Sequence, residues 1–202
     1  MEIELYQRDL PDDFNPGSIL AIDTETMGLN IFRDRLCLVQ MRSESGQIVL
    51  VQIHKGQTEA PNLAILLTNP EVLKIFHFAR ADMAALWYYL DIKVGPVYCT
   101  KIASRLARTN AQSHGLKALV QDLLGVELSK EQQVSDWGIE ELSKEQLEYA
   151  ASDVLYLHSL KEKLDLRLIR DGRMHLVENL FRCLPAIVAL DVKGWRGDIF
   201  SH

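Results

Sequence analysis

Cysteine is scarce and scattered in this chain. Three thiols, Cys37, Cys99 and Cys183, stand far apart in 202 residues. Their odd number and wide spacing exclude a disulfide framework and a zinc site, and leave reduced thiols in the core as the expectation. Long apolar runs are missing too: no stretch approaches the ~18 residues of a membrane span. The first residues, Met1-Glu-Ile-Glu-Leu-Tyr, place acids where a secretory leader needs a basic and then an apolar segment. The expected setting is therefore the cytoplasm, away from membranes. Positive charge is also short, with 22 Lys and Arg against 28 Asp and Glu, a net charge of −6 and a pI near 5.5. The broad positive field with which proteins grip long nucleic acid is thereby excluded. Repeats, low-complexity tracts and linkers are absent as well. With 48% hydrophobic residues, residues 1–202 are expected to form a single well-buried domain.

What is there begins at residues 18–29, Ser-Ile-Leu-Ala-Ile-Asp-Thr-Glu-Thr-Met-Gly-Leu. Four apolar residues bounded by a turn signal read as a strand buried on both faces. Asp23 and Glu25, two apart at its carboxyl end, project the same way. Carboxylates at that range repel, and a hard divalent cation such as Mg or Mn is the usual remedy. Alternatively, the pair merely ends the strand and is solvated. Two further places bear on the choice. Tyr149 and Asp153 are four apart in a helical pattern and share a face. Asp82 follows the apolar run at 75–76 and is expected just past the end of a second buried strand.

The remaining pattern indicates a mixed-sheet α/β domain. Residues 36–41 and 47–53 read as strands joined at Ser43-Glu-Ser-Gly46. Pro61 opens a short helix that Asn69-Pro70 closes, and 72–76 is a strand. A helix is expected over 81–90 with Met83, Leu86, Trp87 and Leu90 inward, then a last strand at 97–99 and helices from Thr100 onward. Ser129-Lys-Glu-Gln132 and Ser143-Lys-Glu-Gln146 both fit the capping box. The second would start the helix that carries Tyr149 and Asp153, with Leu147, Ala150, Ala151, Val154 and Leu157 as its apolar stripe.

Asp23 with Glu25, Asp82, and Tyr149 with Asp153 together resemble the three motifs of DEDD exonucleases, in the subclass with tyrosine in the third. The chain is similar to the RNase D family, and within it most to the compact nanoRNase C type. The resemblance implies a ribonuclease-H-like fold, with a mixed sheet flanked by helices and a helical C-terminal half. It also implies two Mg2+ or Mn2+ ions: Asp23 would bridge both, Glu25 and Asp153 would hold the one that activates water, and Asp82 the other. Tyr149 would orient the attacking water, since a phenol of ordinary pKa is a weak base near neutrality.

The implied activity is 3′-to-5′ hydrolysis of short RNA, down to dinucleotides, with release of nucleoside 5′-monophosphates. A DNA-trimming exonuclease shares every catalytic residue and remains the alternative. A catalytically dead scaffold is disfavoured because all four carboxylates and the tyrosine are present. Full-length RNase D proteins carry extra helical domains for which this chain has no room, which argues against long structured RNA.

Substrate contacts are expected around Thr24, Met27, Gly28, Leu29 and His77, and at His114, Gln133, Asp136 and Trp137 in segments that match RNase D. Leu29 matches a leucine that related nucleases wedge between terminal bases; equally, it is a turn residue packed on the core. Thr100, Lys101, Ser104, Arg105 and Arg108 recur at helical spacing opposite Ile102 and Leu106. That face is either solvated or a cap for a 5′-phosphate. The apolar tail from about residue 173, notably 184–195, Ile199 and Phe200, is a core strap or a subunit contact. The resemblance implies a homo-oligomer, an octameric ring.

Overall fold

The computed structural model describes residues 2–128 and 135–195. Its centre is a six-stranded sheet of order β1-β4-β3-β2-β5-β6. The strands are β1 (Ile3–Gln7), β2 (Ile19–Thr26), β3 (Leu36–Arg42), β4 (Ile48–Gln52), β5 (Leu73–Phe76) and β6 (Val97–Cys99). The expected hairpin is present, with β3 and β4 antiparallel across the turn at Ser43–Gly46. Neighbours β2 and β3 are antiparallel, whereas β2, β5 and β6 run parallel. The fold is ribonuclease-H-like, as the resemblance implied.

β2 is central because Leu20, Ala21 and Ile22 are apolar on both sides and fully buried. Alternation then decides which layer each side chain meets. Leu20 and Ile22 join the cluster under α2 (Ala79–Leu90) and α7 (Met174–Val192), while Ala21 faces α6 (Leu157–Arg170). Asp23 and Glu25 share the parity of Ala21. They therefore face the layer of α6 and of α5 (Lys144–Leu155), which packs across β3 and β2.

The second capping box sets that helix as expected. Ser143 Oγ accepts from Gln146 N at 3.2 Å, and Gln146 Oε1 accepts from Ser143 N at 2.9 Å. The first box lies outside the described residues. Ala150, Ala151 and Val154 are fully buried against the sheet, so small side chains bring the helix close. Leu157 also packs inward, but as the first residue of α6, because the helix breaks at Tyr156.

Four expectations need correction. β1 was not anticipated: on this edge strand Ile3, Glu4 and Tyr6 are half-buried while Leu5 and Gln7 are exposed, so no apolar run marks it. Asp82 lies in the first turn of α2, which begins at Ala79 rather than residue 81. Cys37 and Cys99 are buried, but Cys183 is exposed on α7. The polar spacing on α3 (Thr100–Ala107) is no solvated face, since Thr100, Ser104 and Arg108 are buried.

Much of the tail is a strap: α7 seats Leu184 and Val188 in the core beneath α2. Leu166, Ile169, Leu176, Leu180 and Trp195 remain exposed, and Ile199 and Phe200 lie outside the described residues. Among the described residues, no helix is long and apolar enough to cross a membrane.

Candidate active site

The four acids predicted from three distant segments meet at the carboxyl end of β2. Asp23, Glu25 and Asp153 each offer a carboxylate oxygen within 4.8 Å of the other two. Asp82 joins from the other layer. Thr24, between the two strand acids, points to the opposite face of the sheet, and its hydroxyl donates to Asp82 Oδ1 at 2.7 Å. One strand thus places two acids directly and fixes a third through the residue between them. The ladder shifts register between Glu25 and Thr26, which opens the end of β2 to the cleft.

Burial, and then mutual repulsion, drives these carboxyls upward. Asp23 is pushed well above the carboxylate range, chiefly by burial and then by Asp82, Asp153 and Glu25. Burial followed by Asp153 and Asp82 raises Glu25 to about 8. Asp82 and Asp153 rise to about 7 by burial, with the Thr24 hydroxyl and the Tyr149 phenol respectively pulling the other way. Burial first, and then the adjacent acids, raise Tyr149 above the ordinary phenol value. An all-oxygen set of buried, mutually repelling carboxyls has the donor chemistry of a hard divalent cation site. The residues therefore fit Mg2+ or Mn2+.

The turn after β2 is built to project Leu29. A β-carbon on Gly28 would fall 2.5 Å from Asp34 Oδ2, so any larger residue there would have to displace that carboxylate. Asp34 accepts from Asn30 N at 2.9 Å and is held down to about 2 by Arg33 and that amide. Leu29 at the tip is fully exposed, which removes the core-packing alternative. Met27 covers Gly138 at the cleft edge, where an added β-carbon would meet Met27 Sδ at 2.6 Å.

His77 follows β5, borders the cleft, and has Nδ1 2.9 Å from Thr100 Oγ1. Burial first, and then Lys101, lowers it to about 4, so it is neutral at physiological pH. Of the residues weighed as a 5′-phosphate cap, only Lys101 borders the cleft among the described lining. Ser104 pairs with His114 Nδ1 at 2.9 Å, Arg108 with Ser104 and Asp122, and Arg105 is exposed away from that lining. Trp137 is buried beside Tyr149, their ring centroids 6.1 Å apart, and so supports the wall. Asp136 is exposed and accepts from Gly138 N at 2.9 Å. Gln133 lies outside the described residues.

Sequence reasoning missed three residues here. Gln40 stands opposite Asp23 in the ladder, is fully buried, and has Nε2 3.4 Å from Glu25 Oε1. Its signal was visible: one amide in an otherwise apolar strand. Lys117 borders the cleft with Lys101, and Phe78 stands at its rim.

Known proteins resemble this chain in sequence and in fold. The family profile described as "3'-5' exonuclease" matches residues 9–169. Ribonuclease D of Gluconacetobacter diazotrophicus is 35% identical over 158 residues, covering 78% of this chain and 40% of that protein. The chain thus spans about two fifths of the length of the curated relatives it matches. Two solved structures of NrnC from Brucella melitensis match along its full length. One has bound Mg2+, at 50% identity, TM-score 0.95 and 100% coverage of both chains. The other is bound to pGG, at 50% identity, TM-score 0.96 and coverage of 100% and 99%. Escherichia coli RNase D, at 24% identity and TM-score 0.76 over 85% of this chain and 45% of that one, shares the fold.

Proposed function

The chain belongs to the 3'-5' exonuclease family, and from that premise we propose that it is a metal-dependent 3′-to-5′ exoribonuclease that degrades very short RNA, down to dinucleotides, to nucleoside 5′-monophosphates. The observation that carries this reading is the meeting of Asp23, Glu25 and Asp153 oxygens within 4.8 Å, with Asp82 tied to the same strand by Thr24.

Two Mg2+ or Mn2+ ions in this cluster would stabilise negative charge on the attacking and leaving oxygens of an in-line displacement. Asp23, Glu25 and Asp153 would hold one ion, and Asp23 with Asp82 would hold the other. The Tyr149 phenol stays protonated because burial, and then its acidic neighbours, disfavour the phenolate. It therefore orients the attacking water by hydrogen bonding and leaves proton removal to other groups. Thr24 keeps Asp82 in place, while neutral His77 and the cations Lys101 and Lys117 line the approach.

Three considerations support a short substrate. The net charge of −6 gives no field for many phosphates. Lys101 and Lys117 stand in the cleft lining, alongside Asp122 and Glu127, as the two cations available to a free 5′-phosphate. The structure of a relative matching this chain from end to end is bound to pGG. The same likeness extends the reading to self-association as a ring, for which the exposed Leu166, Ile169, Leu176 and Leu180 on α6 and α7 supply apolar area. The test is turnover of 5′-labelled RNAs of two to seven nucleotides with Mg2+, beside DNA of equal lengths. The dinucleotide RNA should be cleaved fastest. Faster cleavage of the DNA strands, rising with length, would replace this reading with a DNA-trimming one.

A further inference from the structure

Phe78 combines three features that packing alone does not require. Its backbone is left-handed, with φ 73° and ψ 43°, a conformation costly for a bulky side chain and free of strain for glycine. Its ring is 45% exposed. And Lys101 Nζ lies 4.0 Å from the ring centroid, a cation–π contact at the rim of the cleft.

The strain has a local origin. Only His77 and Phe78 separate the end of β5 from the start of α2, and α2 is pinned by the Thr24–Asp82 bond. The chain must reverse sharply there. A phenylalanine in the reversal places its ring between two clefts. One contains His77, Lys101, Tyr149 and Asp153; the other contains Leu29, Phe32 and Trp195.

We propose that Phe78 is a stacking platform for a nucleobase of the bound strand, and that its left-handed backbone is retained to hold the ring at that rim. The inference rests on the nuclease reading above and adds to it the source of affinity. A dinucleotide offers few phosphates, and a chain of net charge −6 brings no broad positive field to them, so phosphate contacts leave room for a further source of affinity. Stacking on an aromatic ring supplies affinity for any base, because every base presents a π-face. Lys101 steadies the ring and adds a cation beside the strand.

The experiment compares wild type, Phe78→Gly, Phe78→Trp and Asp23→Asn on 5′-phosphorylated dinucleotide RNA with Mg2+, and on two analogues lacking one base or the other. Phe78→Gly should raise KM about tenfold or more, the effect of losing one aromatic stack, with kcat within about twofold. Its melting temperature should equal or exceed that of wild type, because glycine relieves the strained turn. Phe78→Trp should keep the wild-type KM. On one of the two abasic analogues, wild type and Phe78→Gly should become equal, identifying the stacked base.

An unchanged KM in Phe78→Gly overturns the platform, as does an equal loss on all three substrates. A change in assembly mass by light scattering with KM unaltered would instead assign the ring to a contact between copies of this chain. Absence of Asp23-dependent turnover in the wild type would remove the nuclease reading itself, an outcome distinct from the others.

Discussion

The hydroxyl of Thr24 donates to Asp82 across 2.7 Å, from the position between Asp23 and Glu25, which points to the other face of the sheet. Two layers of the fold are thereby registered at the place where the acids meet. A hydroxyl bound to a ligand carboxylate selects which of its oxygens turns inward. Thr24→Val keeps the shape and removes the donor. Its kcat with Mg2+ should fall about tenfold, within the range for losing an outer-shell partner, while Asp82→Asn falls much further. Equal activity of Thr24→Val and wild type would show that Asp82 needs no such hold.

Stability without metal should fall as pH rises. Each acid of the cluster binds its proton more tightly in the folded chain, to about 8 for Glu25 and about 7 for Asp82 and Asp153, than in the unfolded chain, where carboxyls titrate near pH 4. The folded state holds extra protons through that window, so its contribution is complete below about pH 4 and lost as pH climbs past about 8. Chelator-treated protein should melt about 5 °C higher at pH 5.5 than at pH 8.5. Glu25→Gln should reduce that difference. A melting temperature rising over this range in wild type, and unaltered by Glu25→Gln, would contradict the repulsion.

Gln40 lies beneath the same acids, and its Oε1 is buried without a partner among the described residues. A buried carbonyl left unpaired costs about 1–3 kcal/mol. Gln40→Met, similar in size and apolar, should stabilise the metal-free protein or leave it unchanged. It should weaken Mn2+ binding about tenfold by freeing Glu25. Calorimetry and thermal melts on one sample check both halves.

The cap reduces to Lys101 and Lys117. Removing the 5′-phosphate from a dinucleotide should raise KM in wild type, and Lys117→Met should abolish that difference while sparing kcat. Indifference of wild type to the 5′-phosphate would eliminate the cap.

The clustered acids of β2 and α5 were legible because each is bound to a local signal. Asp23 and Glu25 end an apolar run, and the Ser143 box fixes where Tyr149 and Asp153 fall on their helix. Asp82 was legible in position but not in setting: nothing local announces that α2 begins at Ala79 through a left-handed Phe78. The polar spacing of Thr100, Ser104 and Arg108 looks solvated because periodicity reports a face without saying what covers it. Here His77, His114 and Asp122 cover it. β1 escaped notice because an edge strand needs little apolar content, and Gln40 because a lone amide matters only once its cross-strand neighbour is known.

The most direct measurement is calorimetric titration of chelator-treated protein with Mn2+ near pH 8, in wild type and in Asp23→Asn, Glu25→Gln, Asp82→Asn and Asp153→Asn. The account predicts two ions per chain in wild type, loss of binding in Asp23→Asn, and weakened or single occupancy in the others, with each folded chain intact by circular dichroism. Binding that is absent in wild type, or indifferent to all four substitutions, would contradict it.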